Sequence, residues 1–197
     1  MNIYAISGLI NAVLVSALGI FVYRKKTKNN LSKKYAAFCF LVAFWSYSYF
    51  FWQISKDAQS ALFWCRSLMA GAIFIPLTFF HFIVSFLDIY QKKKNVLKLG
   101  YIIFFFFLLL DFTPLFIRGV SPKLSFKFWP DPGIAFTPFI LIWLFYCFYP
   151  CFLLFRAYKG SSGLKQNQIK YLLFGILIGY SSGSTNYFLW YDIPVTP

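Results

Sequence analysis

One apolar stretch of this chain, residues 61–82, contains an arginine, a proline and the only histidine. Ionisable side chains within a membrane span are costly and rare, and they usually serve function. Arg66 is one such charge, and Asp111 falls at a similar predicted depth in the next apolar stretch. We predict that Arg66 and Asp111 interact, directly or through water. The alternative is that Arg66 extends outward to the lipid headgroups.

The proline and the histidine of this stretch indicate a bend and a polar contact. Pro76 removes a backbone hydrogen bond near the middle of the predicted span, which kinks the helix. The kink is either a hinge or a static bend that neighbouring helices accommodate. His81 has no second histidine and no partner at triad spacing. We expect a structural, hydrogen-bonded histidine, with a pH-sensitive switch as the alternative.

A stripe of small residues marks the last apolar stretch. Gly175, Gly179 and Gly183 recur at intervals of four, and Asn186 follows on nearly the same helical face. Small residues at this spacing let membrane helices approach closely, and an asparagine can hydrogen-bond across the contact. We predict helix packing for the glycines. Asn186 either joins that contact or lines an outward-facing pocket with Arg66, to which Asn11 could contribute.

The rest of the sequence offers little catalytic chemistry. Its five acidic residues are all aspartates, which excludes membrane enzymes that need a glutamate base. The four cysteines lie in apolar stretches without metal-ligand or secreted-disulfide spacing, and we read them as small buried hydrophobes. The run Gly160–Gly163 resembles an intramembrane serine protease motif, but it lies in a predicted loop without a suitable histidine. We expect no catalytic residue, no metal and no cofactor.

The composition indicates lipid as the solvent of this chain. Its 197 residues are 60% hydrophobic and 24% aromatic, more than a soluble domain of this size can bury. We predict an all-α polytopic transmembrane bundle that forms one integral-membrane domain over residues 1–197. Each span holds roughly 20 residues, enough to cross the bilayer. The predicted spans are 3–23, 35–54, 61–87, 97–117, 134–155 and 171–190.

The distribution of basic residues predicts the orientation. Most of the 19 lysines and arginines lie in the loops after the first, third and fifth spans, which the positive-inside rule places in the cytoplasm. The N-terminus is therefore predicted to lie outside. The net charge of +14 is explained by this rule, so we expect the lipid bilayer and not nucleic acid as partner.

A set of features spread over the whole chain resembles a known family. The features are Asn11, Gly19, the basic first loop, Trp45, Phe63–Arg66, Gly71, Pro76, Phe80–Phe82, the glycines of the last span, Asn186 and Tyr191–Pro194. In these the chain is similar to the N-terminal seven-transmembrane region of bacterial histidine kinases, which is also found ahead of diguanylate cyclase modules. The resemblance implies a seventh span followed by cytoplasmic domains. This sequence shows six of the seven expected spans, and we expect it to be a fragment or a truncated paralogue.

The resemblance implies a function. It implies a multi-pass sensor or input module in the bacterial cytoplasmic membrane, which reads a small ligand or a membrane signal in its outer half. The partner would be a cytoplasmic effector domain, in cis or in trans, and a homodimer is possible. The alternative is a small membrane transporter or channel component, since midplane charges and broken helices also mark those proteins. A lipid-acting membrane enzyme is a third reading, disfavoured by the scarcity of acid and histidine residues.

Overall fold

The structure is a computed structural model that describes residues 2–24 and 30–195, except for the side chain of residue 182. The basic loop expected after the first span lies in part outside this range, at residues 25–29. The described chain is mostly helical. Its elements are α1 (Ile3–Arg24), α2 (Asn30–Gln53), α3 (Ala58–Phe86), α4 (Tyr90–Asp111), β1 (Ile117–Lys123), β2 (Phe126–Pro132), α5 (Phe136–Lys159), α6 (Gly163–Ser184) and α7 (Asn186–Trp190).

Four of the helices are long and apolar enough to cross a membrane, namely α1, α2, α3 and α5. The other two long helices, α4 and α6, do not meet this criterion within the described residues. Four lysines lie in the first half of α4, and polar residues occupy both ends of α6. The prediction of a helical membrane protein is therefore confirmed, whereas the number of six spans is not.

Helix α3 forms the centre of the fold. It packs against α2, α4 and α5, while α1 packs against α2 and α6 packs against α5. Asp57 caps the beginning of α3 by accepting a hydrogen bond of 2.8 Å from the Ser60 amide. That bond lowers the pKa of the exposed Asp57 carboxyl below its usual range. Gly71 allows α3 to approach α2 closely, because a Cβ at this position would lie 3.3 Å from the backbone nitrogen of Trp45 in α2.

The fourth predicted span, 97–117, extends past the end of its helix, because α4 covers Tyr90–Asp111. Pro114 disfavours helical geometry at Thr113, the residue before it. The Thr113 hydroxyl donates a hydrogen bond of 2.7 Å to the Leu110 carbonyl at the end of the helix. Asp111 is therefore the last helical residue of α4, and not a residue well inside the span as expected.

The segment between the fourth and fifth predicted spans is an antiparallel hairpin, so the all-α assignment needs this correction. Its prolines suggested a loop, although aromatic residues recur along β2. The hairpin covers one end of the helices: the Trp52 indole donates a hydrogen bond of 2.8 Å to the Phe128 carbonyl. Trp129 is fully buried, with its ring 4.8 Å from that of Trp52. We call β1 and β2 the cap.

The last predicted span, 171–190, is also interrupted. Helix α6 ends at Ser184, and the short helix α7 begins at Asn186. The ring of Trp190 in α7 stacks on Phe136 of α5 with 4.1 Å between ring centroids. This stack attaches α7 to the beginning of α5, beside the cap.

Candidate functional site: buried charges beside an open seam

The two predicted intramembrane charges lie near each other beneath the cap. Asp111 is fully buried at the end of α4, and the Arg66 guanidinium of α3 donates a hydrogen bond of 3.4 Å to the Ile117 carbonyl of β1. The two charges are close enough to interact electrostatically. Within the described residues, however, they form no ion pair at 4.0 Å or less. The structure therefore brings them into one region without a direct contact.

This region contains polar atoms that no described residue satisfies. The Nε of Arg66 and both carboxyl oxygens of Asp111 are buried without a hydrogen-bond partner among the described residues. The indole nitrogen of Trp129 in the cap is also buried without a hydrogen-bond partner among the described residues. Buried polar groups are almost always hydrogen-bonded, and ordered water often provides the missing partners. Arg66 and Asp111 thus offer donors and acceptors to water or to a small polar ligand.

A separate cavity of about 750 Å³ lies between α1, α2 and α3 on one side and α5, α6 and α7 on the other. We call it the seam. Its lining is mainly aromatic and aliphatic, and none of the described residues that line it is charged. Asn11 and Asn186 line the seam, whereas Arg66 and Asp111 do not. Of the two alternatives left open for Asn186, a pocket shared with Arg66 finds no support here, because Arg66 does not line the seam.

The two asparagines have different surroundings. The Asn11 amide donates a hydrogen bond of 2.7 Å to the Ser46 hydroxyl, which ties α1 to α2. Ser46 is fully buried and donates in turn to the Val42 carbonyl. The Asn186 amide donates 3.0 Å to the Gly183 carbonyl at the break between α6 and α7. Its own carbonyl oxygen is buried without a partner among the described residues.

The glycine stripe of α6 faces the seam. Gly175, Gly179 and Gly183 all line it, and a Cβ built at any of them meets no atom within 4 Å. Among the described residues no atom therefore lies where a Cβ of Gly175 or Gly183 would project, and the helix packing proposed for the three glycines stays a prediction. By contrast, a Cβ at Gly100 in α4 would lie 2.6 Å from the Tyr146 hydroxyl of α5. Among the described residues, close helix contacts are thus made at glycines such as Gly100, which the sequence spacing did not identify.

Pro76 has a specific partner that sequence reasoning missed. A proline leaves the carbonyl four residues earlier without its helical hydrogen bond, and here that carbonyl belongs to Ala72. The Trp143 indole of α5 donates a hydrogen bond of 3.0 Å to it. Trp143 and Ala72 also line the seam. The backbone carbonyl that Pro76 leaves free in α3 is therefore bonded to α5 and lies beside the seam.

His81 occupies the structural position that we expected. Its Nδ1 lies 3.0 Å from the Tyr101 hydroxyl of α4, and its ring stacks on Tyr90 at 5.7 Å. Nearby, the Lys34 ammonium of α2 donates a hydrogen bond of 2.6 Å to the Ser85 hydroxyl. These contacts join α2, α3 and α4 at the end of the helices opposite the cap.

A buried lysine in the cap is the second feature that the sequence did not reveal. The Lys123 ammonium lies 3.2 Å from the Asp131 carboxylate and 3.0 Å from that of Asp192. It also donates a hydrogen bond of 3.0 Å to the Trp190 carbonyl. Lys123 therefore attaches the cap to α7, which borders the seam. A lysine in a proline-rich loop has no spacing signal that would have identified it.

Comparison with known proteins gives a family match. A family profile, described as the N-terminal 7TM region of histidine kinase, matches residues 8–197. No curated protein and no solved structure gives a significant match. The profile covers nearly the whole sequence, including helix α3 with its Pro76, the cap and the glycine stripe. The chain belongs to the family of N-terminal 7TM regions of histidine kinases.

Proposed function

We propose that this chain is the membrane-embedded input module of a signal-transduction protein that controls a cytoplasmic effector, such as a kinase or a diguanylate cyclase. Membership of the 7TM family supports a sensor role. In the proposed orientation the N-terminus and the cap lie outside the cytoplasmic membrane, and the basic loops lie in the cytoplasm. The excess of basic residues in alternate loops supports this orientation.

The observation that carries the proposal is the set of unsatisfied buried polar atoms of Arg66 and Asp111 beneath the cap. Arg66 and Asp111 are held by three different elements, since Arg66 of α3 reaches β1 while Asp111 ends α4. Buried charges in a membrane protein mark functional sites by default. In our proposal a small polar ligand, or water that a membrane signal displaces, completes the hydrogen bonds of Arg66 and Asp111. Such a ligand biases the module only if it binds two conformations with different affinity.

Helix α3 is the proposed route from this site to the cytoplasm. It carries Arg66 near the cap, Pro76 in its middle and His81 toward the other end. A shift of Arg66 would be transmitted along α3. At Pro76 the direction of this movement would change, because the hydrogen bond from Trp143 to Ala72 joins α3 to α5 there. We propose Pro76 as the hinge of this movement.

The test uses the full-length product of the gene, reconstituted in lipid vesicles. Wild type is compared with Asp111→Asn, and Lys127→Gln on the exposed surface of the cap is the control. Phosphate transfer from ATP and cyclic dinucleotide synthesis from GTP measure the output. We expect Asp111→Asn to change one of these activities about fivefold or more, the size of a typical allosteric coupling, and Lys127→Gln to leave it unchanged.

Two results would overturn the proposal. One is a full-length protein with neither activity that instead moves ions or small solutes across the vesicle membrane, which would favour the transporter alternative. The other is an output that Asp111→Asn leaves unchanged although the variant is folded and inserted in normal amounts.

A further inference from the structure

We propose that a polar cluster at the end of the helices opposite the cap binds the phosphate headgroup of an anionic phospholipid. The cluster, which we call the lysine–tyrosine site, consists of Lys34 of α2, His81 and Ser85 of α3, and Tyr90 and Tyr101 of α4. The inference goes beyond the sensor role, because it depends on the membrane class of the chain and not on what the module senses.

Lys34 is a cation without an opposite charge. Its half-buried ammonium donates a hydrogen bond of 2.6 Å to the Ser85 hydroxyl and lies 5.1 Å from the centre of the Tyr90 ring. Both of these partners are neutral. The ion pairs among the described residues belong to Lys123, and the exposed Asp88 in the turn before α4 takes part in none of them. Because charges withdrawn from water are usually paired, Lys34 favours an anion from outside the chain.

The two tyrosines hold a histidine beside this cation. The His81 ring stacks on Tyr90 with 5.7 Å between ring centroids, and its Nδ1 lies 3.0 Å from the Tyr101 hydroxyl. When that hydroxyl donates to Nδ1, the neutral imidazole carries its proton on Nε2, which is then a donor. An ammonium and an imidazole donor thus lie in one cluster, and phosphate oxygens are strong acceptors for both.

Helix α4 adds further positive charge beside the cluster. Lys94 and Lys98 follow Tyr90 at intervals of four residues, a spacing that places them on one side of the helix. Both lysines are exposed. Basic pockets between membrane helices are typical binding sites for anionic phospholipid headgroups. Helix α4 falls short of the apolar character of a membrane span because of its lysines, and these would then lie at the level of the headgroups.

The apolar surface next to the lysines favours a phospholipid over a soluble anion. Phe105 follows Tyr101 by four residues on α4 and is 56% exposed, and Ile102 is 68% exposed. Exposed apolar side chains beside a cationic site offer contacts to acyl chains. A soluble phosphate would use only the lysines, whereas a phospholipid would use the lysines and this apolar surface together.

Native mass spectrometry of the full-length product of the gene tests the proposal. The protein in detergent micelles is titrated with phosphatidylglycerol, with phosphatidylcholine of the same acyl chains, or with inorganic phosphate. Lys34→Gln is compared with Lys165→Gln, which removes an exposed lysine at the beginning of α6. We expect wild type to bind the first phosphatidylglycerol about tenfold more tightly than phosphatidylcholine. Lys34→Gln should lower this preference about fivefold, the scale for one lysine at a membrane surface, and Lys165→Gln should leave it unchanged.

Three results would contradict the lysine–tyrosine site. The first is equal affinity of wild type for the two lipids, and the second is an equal loss of preference in Lys34→Gln and Lys165→Gln. The third is inorganic phosphate that binds as tightly as phosphatidylglycerol, because a soluble anion and not a lipid would then be the occupant.

A second pair of variants keeps the test decisive if Lys34→Gln disturbs the packing of α2 on α3. Lys94→Gln changes an exposed side chain and should also lower the preference for phosphatidylglycerol, by about fivefold. Lys92→Gln is the matched control, because residues two apart on a helix do not face the same side. An equal effect of these two variants, or none from Lys94→Gln, overturns the site. Since lipid binding is read without any effector output, such a result would leave the proposed sensor function standing.

Discussion

At the scale of single residues, Arg66 and Asp111 are expected to compensate each other energetically although they form no ion pair. The sequence located these two charges but not their geometry, because each interrupts an apolar stretch whereas their separation depends on Pro114 ending α4 at Asp111 and on the position of the cap. Lys123 gave no signal, since its partner Asp192 lies far along the chain.

The expected compensation can be measured with a double-variant cycle. Asp111→Leu alone should lower the free energy of unfolding by about 2 kcal/mol, because it leaves the half-buried Arg66 without the opposite charge of Asp111. The double variant Arg66→Met/Asp111→Leu should recover most of that loss, since apolar residues of similar size replace both charges. Denaturation in mixed detergent micelles measures the four free energies of the cycle. Additive losses would show that Arg66 and Asp111 are independent.

At the scale of elements, most helices follow from the apolar stretches, and their ends follow from local chemistry. The start of α3 after Asp57 and the end of α4 before Pro114 both follow known rules for helix ends. The spans were predicted from hydropathy, which does not contain this information. The cap was missed because its prolines suggested an irregular loop. The break before Asn186 was missed because the apolar pattern continues through it. The carbonyl that Pro76 leaves free was predictable, whereas its partner Trp143 on α5 was not.

The hydrogen bond from the Trp143 indole to the Ala72 carbonyl can be tested with a second double-variant cycle. Trp143→Phe should cost about 1 kcal/mol, because it removes the donor to the buried Ala72 carbonyl. In a Pro76→Ala background the loss should be smaller, since the restored amide of residue 76 can satisfy that carbonyl. Unfolding free energies in mixed micelles measure the coupling. An undiminished loss in the Pro76→Ala background would mean that Trp143 acts only through its ring contacts.

At the scale of the whole molecule, composition was sufficient for the membrane class, and a diffuse set of motifs was sufficient for the family. The number of spans could not be fixed in this way, because α4 and α6 combine long apolar segments with polar ends. The seam could not be foreseen either. Spacing predicts which face of α6 carries small residues, but only the packed structure shows that no described atom lies within 4 Å of a Cβ built at Gly175 or Gly183.

The central claim is that a change at the outer cap alters the activity of the cytoplasmic effector. Lys123 joins the cap to α7 through Asp131, Asp192 and the Trp190 carbonyl, whereas Lys127 is exposed on the same strand pair and serves as the control. The decisive measurement compares the output activity of full-length Lys123→Met and Lys127→Met proteins with that of wild type, at equal amounts in the membrane. We predict a change of about fivefold or more for Lys123→Met and none for Lys127→Met. Equal output from all three proteins would contradict the account.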